Sequence, residues 1–241
     1  MNKINLTENT LIVSCQALED EPLHGSEIMA KMAIAAEMGG ASAIRANSPK
    51  DIIEIRKAVK LPIIGLWKQE TEEYPVYITP TYQHIKEVLE AGANYVAIDC
   101  TNRKRPEGLE EIFDKIRNEF PDKGIVADIS CIEDVKAILH LKPDFFATTL
   151  SGYTEDSKGR PTPDLPLIKE IKDITDIPIL AEGNYKTGVQ AAKAMELGAY
   201  AVVMGGAITR PQNITSRIWN EIQENYHYGE RNSNERLSFG S

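Results

Sequence analysis

Five polar side chains that could carry out acid–base chemistry lie in or directly after apolar runs of the sequence. Gln16 closes "IVSCQ", Lys68 closes "GLWK", and Arg45 lies in "SAIRANS". Asp128 lies in "IVADIS" and Glu182 in "PILAEG". A lysine and two carboxylates are groups that take and return protons, while an arginine or an amide stabilises the negative charge that develops. If these side chains meet, the sequence predicts proton transfer on a small molecule.

Regular elements must bring these residues together, and the chain alternates strand-like with helix-like segments from end to end. We predict eight strands, at Leu11–Gln16, Ser42–Asn47, Pro62–Lys68, Tyr95–Cys100, Gly124–Ser130, Phe145–Leu150, Pro178–Gly183 and Ala201–Gly206. Eight strand–helix units in 241 residues predict an α/β protein with a (β/α)8 TIM barrel, a fold that usually has about 250 residues. A doubly wound open sheet is the rival, but it often carries a GxGxxG turn, which this sequence lacks.

The sequence shows no linker, so we predict a single domain. We assign residues 1–228 to the barrel and residues 229–241 to a polar, loosely ordered C-terminal tail. A weak internal repeat, "EMGGASAIR", "EAGANYVAID" and "ELGAYAVVMG", shows a helix end, a glycine turn and a strand three times. In these turns Gly39, Gly92 and Gly198 are the predicted residues of positive φ after the helices.

In a (β/α)8 barrel the strand ends at one face carry the chemistry, and each interior layer comes from alternate strands. Gln16, Lys68, Asp128 and Glu182 close the first, third, fifth and seventh predicted strands, and the period of two is consistent with all four pointing inward. Arg45 closes the second strand. We therefore predict that an amine, two carboxylates, a guanidinium and an amide converge at the barrel mouth. A purely structural cluster of salt bridges is the alternative.

The last two strands end in glycine-rich loops that could bind an anion. Gly183 and Asn184 follow strand seven, and Gly205 and Gly206 follow strand eight, with Arg210 four residues later. Backbone N–H groups of such loops and a fork-shaped guanidinium are phosphate ligands, and this end of the barrel is the usual phosphate site. We call these five residues the phosphate end and predict that they bind a phosphate group. The alternative is that these glycines only form turns and bind no ligand.

Composition and spacing exclude several classes of protein. The net charge of −9 disfavours nucleic acid and membrane surfaces as partners. The three cysteines, Cys15, Cys100 and Cys131, form neither an even set nor a CxxC pair, so we interpret them as reduced thiols. The four histidines are scattered without metal-ligand spacing, and we predict no metal site. The start of the sequence lacks the apolar core of a signal peptide, so we expect a cytoplasmic protein.

Taken together, the motifs resemble one family, the bacterial N-acetylmannosamine-6-phosphate 2-epimerases of sialic acid catabolism. The likeness covers nearly the whole barrel through "SCQALEDEPLH", "AIRAN", "PIIGLWK", "IVADIS", "TTLSGYT", "LAEGNY" and "VVMGGAITRP". The resemblance implies an isomerase that interconverts N-acetylmannosamine 6-phosphate and N-acetylglucosamine 6-phosphate, with no metal or organic cofactor. It also implies a homodimer.

The resemblance also implies roles for the site residues. Lys68 and Glu182 are expected to transfer the protons, Arg45, Asp128 and Gln16 to surround the sugar, and the phosphate end to bind the phosphate. Inverting C2 requires an aldehyde at C1, so the sugar ring should open first and an enolate should form next. Two alternatives remain open: a phosphosugar aldolase with a Schiff base on Lys68, and a barrel that binds a sugar phosphate without turning it over.

Overall fold

A computed structural model describes residues 5–238, with side chains described through residue 226. Eight parallel strands form a closed barrel in which β8 also pairs with β1. The strands are β1 Thr10–Cys15, β2 Ala43–Asn47, β3 Ile63–Leu66, β4 Tyr95–Asp99, β5 Gly124–Asp128, β6 Phe145–Ala147, β7 Ile179–Glu182 and β8 Ala201–Met204. The predicted (β/α)8 barrel is confirmed, although seven of the eight strands end one to three residues earlier than predicted.

Helices follow the strands around the outside of the barrel. They are α1 Ser26–Met38, α2 Pro49–Ala58, α3 Tyr82–Glu90, α4 Leu109–Glu119, α5 Ile132–Ile138, α6 Leu165–Lys172, α7 Gly188–Glu196, α8 Gly206–Thr209 and α9 Pro211–Ser238. Four begin at a side chain that accepts a hydrogen bond from the first turn: Ser48, Thr81, Asp164 and Thr187. No described helix combines the length and apolar character needed to cross a membrane.

The last helix, α9, is 28 residues long and includes the predicted boundary at residue 228. Residues 239–241 of the predicted tail lie outside the described residues, and so do all side chains from residue 227 onward. The division into a barrel and a loosely ordered tail therefore stays a prediction.

Two apolar cores hold the barrel, because successive strand residues face opposite sides of the sheet. Ile12, Ile64 and Leu180 belong to the core inside the barrel. Val13 and Cys15, the alternate residues of β1, belong to the core between the sheet and the helices. Cys15 therefore packs away from the barrel interior, and all three cysteines are buried, with free thiols.

Two of the three glycine predictions hold, and one is wrong. Gly92 and Gly198 have φ values of +109° and +101° after their helices. Gly39 instead has φ −81° and caps α1 in a right-handed conformation, and its neighbour Gly40 has the positive φ of +93°. Because both residues are glycine, the sequence alone does not choose between them.

The loop after β3 turns back and pairs with the strand end that it follows. Lys68 and Ile78 form an isolated antiparallel bridge, and Thr79 donates its N–H to the carbonyl of Trp67 at 2.8 Å. Thr79 is fully buried with φ +50°, which is strained for a β-branched residue. Its hydroxyl accepts the Trp67 N–H at 3.0 Å and donates to the Ala97 carbonyl at 2.8 Å. These bonds hold the loop against the barrel mouth.

Candidate active site

A cavity of about 780 Å³ lies at the carboxyl ends of the strands. In this fold that face carries the chemistry. The cavity is lined by three of the predicted residues at strand ends: Gln16 directly after β1, Lys68 after β3 and Glu182 at the end of β7. Arg45 of β2 also lines it. The structure thus brings four of the five predicted acid–base residues to one place.

Arg45 is 1% exposed and lies between two carboxylates. Its Nη1 and Nη2 donate to Asp128 Oδ1 at 3.1 Å and Oδ2 at 2.5 Å, and Nη1 lies 3.0 Å from Glu182 Oε2. Asp128 is fully buried and is not among the described residues that line the cavity. Its carboxylate contacts the Arg45 guanidinium and the Thr149 hydroxyl, and both of these residues line the cavity. A buried guanidinium needs such partners to offset its desolvation.

Burial raises the pKa of Glu182 to about 6, and the nearby Asp128 adds to this rise while Arg45 opposes it. The Thr149 hydroxyl lies 2.8 Å from Asp128 Oδ1 and 3.1 Å from Glu182 Oε2. Since a hydroxyl has one proton to donate, it cannot satisfy two ionised carboxylates at once. Where the hydroxyl donates to Glu182 it lowers the pKa of that carboxyl, which partly offsets the effect of burial.

The backbone of Lys68 is fixed from two sides. Its N–H donates to Asn47 Oδ1 at 2.9 Å, and the bridge to Ile78 holds the other edge. The next residue, Gln69, donates its N–H to the Tyr77 carbonyl at 2.8 Å. Tyr77 and Ile78 also line the cavity, so the loop that positions Lys68 forms one wall of the site.

The pKa of Lys68 lies below its ordinary value, first because burial disfavours the ammonium and then because Arg45 and Arg210 are nearby cations. Glu182 and Glu21 oppose this shift. A lysine with a lowered pKa can act as a base as well as an acid near neutral pH. Lys68 and Glu182 together can therefore accept and donate a proton within one cavity.

All five residues of the phosphate end line the same cavity. Gly183 has φ +111° and Asn184 has φ +58°, so the chain turns sharply after β7. A Cβ at Gly205 would lie 3.2 Å from Ser14 Cβ, closer than nearly all real contacts of this kind. The glycine after β8 thus lets this loop pack closely against the end of β1.

Sequence reasoning missed four residues that shape the site: Asn47, Tyr77, Thr149 and Glu21. Asn47 shares an interior face with Arg45, two residues earlier in β2, so the period of two could have found it. Thr149 lies just past the short β6. Tyr77 and Glu21 lie in irregular loops, whose folding back onto the site leaves no periodic signal in the sequence.

No metal-binding cluster is evident within residues 5–226: no three or more of their His, Cys, Asp or Glu side chains are grouped so that they could hold a metal ion. The site instead offers an amine, carboxylates, hydroxyls and backbone N–H groups. These are groups for proton transfer and anion binding.

The fold and cavity define a class: a (β/α)8 barrel with acid–base side chains and glycine loops at its strand ends. A family model described as "Putative N-acetylmannosamine-6-phosphate epimerase" matches residues 29–224. A Listeria welshimeri protein described as a "Putative N-acetylmannosamine-6-phosphate 2-epimerase" is 50% identical over 220 residues, which cover 90% of this chain and 93% of that protein. A Caldanaerobacter subterraneus protein with the same description is 50% identical, with coverages of 93% and 95%. The chain therefore belongs to the N-acetylmannosamine-6-phosphate epimerase family.

Solved structures agree with this assignment. The N-acetylmannosamine-6-phosphate 2-epimerase from Clostridium perfringens superimposes with a TM-score of 0.86 at 45% identity, covering 89% of this chain and 94% of that one. A thiamine phosphate pyrophosphorylase from Pyrococcus furiosus superimposes with a TM-score of 0.55 at 15% identity, covering 85% and 88%. This second likeness shows the barrel fold alone.

Proposed function

We propose that this protein is an N-acylglucosamine-6-phosphate 2-epimerase, which interconverts N-acetylmannosamine 6-phosphate and N-acetylglucosamine 6-phosphate. The observation that carries the proposal is the shared cavity of Lys68, Glu182 and the phosphate end. Family membership indicates which substrate is converted, because the family model and the similar proteins are named for this activity. The setting is amino-sugar and sialic acid degradation.

The chemistry begins when the sugar ring opens and C1 becomes an aldehyde. Lys68 or Glu182 removes the proton from C2, and the electron pair moves onto the C1 oxygen to form an enolate. The other group returns a proton to the opposite face of C2, which inverts that carbon. The two residues exchange roles with the direction of the reaction. Each positioned acid or base contributes roughly 10²- to 10⁴-fold in rate.

Arg45 and Gln16 are the proposed partners of the enolate oxygen and the sugar. Arg45 lines the cavity and carries a positive charge that can stabilise the enolate, whereas its Nε is buried and has no hydrogen-bond partner among the described residues. Gln16 donates one N–H to Ser14 Oγ at 2.7 Å, and its remaining amide groups can meet the sugar. Asp128 acts through Arg45, whose guanidinium it holds in place.

The experiment is a turnover assay in which the two sugar phosphates are followed by proton NMR. Wild-type protein converts either sugar phosphate into the same equilibrium mixture, and Lys68→Ala lowers kcat by about 10²- to 10⁴-fold. A barrel that only binds a sugar phosphate would convert neither sugar, which would overturn the proposal. Borohydride added with substrate tests the aldolase alternative, because a Schiff base would leave a mass adduct on Lys68.

The proposal also covers the oligomeric state of the protein and its location in the cell. We propose a homodimer, supported by an exposed apolar stripe on α9 where Ile218, Trp219 and Ile222 are 46%, 56% and 52% exposed. An apolar stripe of this kind marks a protein interface more often than a solvated surface. A cytoplasmic location is supported by the three buried, free cysteines, because a reducing compartment keeps thiols unpaired.

A further inference from the structure

Glu21, in the loop between β1 and α1, holds Arg210 of the phosphate end by two hydrogen bonds. Arg210 Nε donates to Glu21 Oε2 at 2.5 Å, and Nη2 donates to Oε1 at 2.6 Å. This is the two-point geometry in which a guanidinium and a carboxylate fix each other's orientation. The side chains of Arg210 and Glu21 are 27% and 15% exposed, so solvent only partly weakens the pair.

The carboxylate of Glu21 is itself fixed from both sides. The N–H of Leu18 donates to Oε1 at 3.2 Å, and Gln212 Nε2 donates to Oε2 at 3.2 Å. Leu18 belongs to the first loop of the barrel and Gln212 to the first turn of α9. Glu21 therefore connects the beginning of the barrel to its last unit, next to β8 and the glycine loop.

The third guanidinium nitrogen of Arg210 lies against that glycine loop. A Cβ built at Gly206 would be 3.9 Å from Arg210 Nη1. With Nε and Nη2 bonded to Glu21, Nη1 faces the loop where a phosphate would receive backbone N–H groups. Glu21 thus determines which edge of Arg210 meets the ligand.

We propose that Glu21 is a positioning residue for the phosphate group of the substrate. It orders the flexible arginine before binding, so the complex does not lose that freedom when the phosphate arrives. The inference rests on the proposed function, because it requires Arg210 to bind phosphate. Glu21 touches neither the reacting carbon nor its protons, so its effect is on substrate affinity.

A carboxylate beside an anion site would repel the ligand if its charge were unbalanced. Here the Arg210 hydrogen bond holds the pKa of Glu21 below its ordinary value, and Arg210 neutralises the resulting charge. Lys68 is a second nearby cation. The loop also contains Glu19, which is exposed and offers a matched control for the loss of one negative charge.

The test compares Glu21→Gln and Glu21→Asp with Glu19→Gln in the intact protein. A hydrogen bond to a charged group is worth a factor of about ten or more, so Glu21→Gln should raise the KM for the phosphorylated sugar about tenfold. The inhibition constant of inorganic phosphate should rise in parallel, while kcat stays within about twofold and Glu19→Gln changes neither constant. Glu21→Asp keeps the negative charge but shortens the side chain by one methylene group. The carboxylate then no longer reaches Arg210 in the two-point geometry, so this variant should also raise KM.

Arg210→Gln separates this inference from the proposed function. In the Arg210→Gln background, Glu21→Gln should cause no further rise in KM, because the two residues act as one unit. If Arg210→Gln raises KM and Glu21→Gln does not, the phosphate end stands and the role of Glu21 is wrong. If Glu21→Asp behaves as wild type, only charge matters, and positioning is again wrong. If Arg210→Gln changes neither KM nor phosphate inhibition, the phosphate end and this inference fail together.

Discussion

At the scale of single residues, the site shows why a lysine can follow an apolar strand. Lys68 lies two residues after β3, and the charges of Glu182 and Glu21 stabilise its ammonium. Burial and Arg45 disfavour that ammonium and lower the pKa of Lys68. Burial has the opposite effect on Glu182 and raises its pKa to about 6. These shifts bring the pKa values of the two groups closer together, towards the range in which a group can act as acid or base.

These shifts predict a bell-shaped pH dependence of kcat/KM. Between the two pKa values Glu182 is ionised and Lys68 is protonated, which is the form with one base and one acid. Activity should fall on the acid side near pH 6 as Glu182 takes up a proton, and on the alkaline side below the ordinary lysine pKa. Initial rates in both directions measure the profile. Glu182→Gln should remove the acid limb from any residual activity, and an acid limb that survives this change would assign it to another group.

Removing the charge of Asp128 predicts a loss of stability. Asp128→Asn leaves the buried Arg45 without its bidentate carboxylate, and breaking a buried ion pair typically costs about 3–5 kcal/mol. Chemical denaturation measures the free energy of unfolding. Asp122→Asn is the control, because Asp122 is an exposed aspartate and its change should have little effect. Equal stability of the two variants would show that Asp128 does not hold Arg45.

At the scale of elements, β3 has to pack tightly to place Lys68. A Cβ at Gly65 would meet Val88 Cγ1 at 2.6 Å and Ala93 Cβ and Ile52 Cδ1 at 2.8 Å. Gly65→Ala should therefore cost about 1–3 kcal/mol through overpacking and should also lower kcat, because Lys68 lies three residues further along. Gly188→Ala is the matched control, since nothing lies within 4 Å of its Cβ position. Unchanged stability of Gly65→Ala would contradict the packing seen here.

The elements also show how much of the structure could be predicted from the sequence alone. Alternating apolar segments and glycine turns predicted all eight strands, and the period of two predicted the interior direction of Gln16, which lines the cavity. Seven of the predicted strands extended past the observed ends, and several of the extra residues still donate a backbone hydrogen bond to the neighbouring strand, as Cys100 does to Asp128 and Ile129 to Ala147. Lys68 lies beyond β3, and its backbone is held by pairing with Ile78 in the loop that folds back towards the strand. Contacts of that kind, and the pair of Glu21 with Arg210, join distant segments and follow no local period.

At the scale of the whole molecule, the net charge of the chain does not indicate the charge of the cavity. The chain carries −9, yet Lys68 and Arg210 place two cations in the wall of the cavity. That composition disfavours polyanionic surfaces as partners stays an expectation, and the proposal of a phosphate ligand rests on the glycine loops after the last two strands.

The exposed stripe of α9 predicts that two copies associate. Trp219→Glu should shift the protein from dimer to monomer, because a carboxylate opposes burial of the stripe at an interface. Light scattering after size-exclusion chromatography gives the mass directly, with Glu224→Gln as the control on the same helix. A wild-type protein that elutes as a monomer at micromolar concentration would refute the homodimer.

The most direct measurement of the central claim is turnover in D2O, with C2 of the product followed by NMR and mass spectrometry. If Lys68 and Glu182 move the C2 proton through groups that exchange with solvent, the wild-type product acquires deuterium at C2, and Lys68→Ala slows the formation of deuterated product about 10²- to 10⁴-fold, as it slows turnover. Product that forms over many turnovers without deuterium at C2, or incorporation that persists in Lys68→Ala at the wild-type rate, would contradict the account.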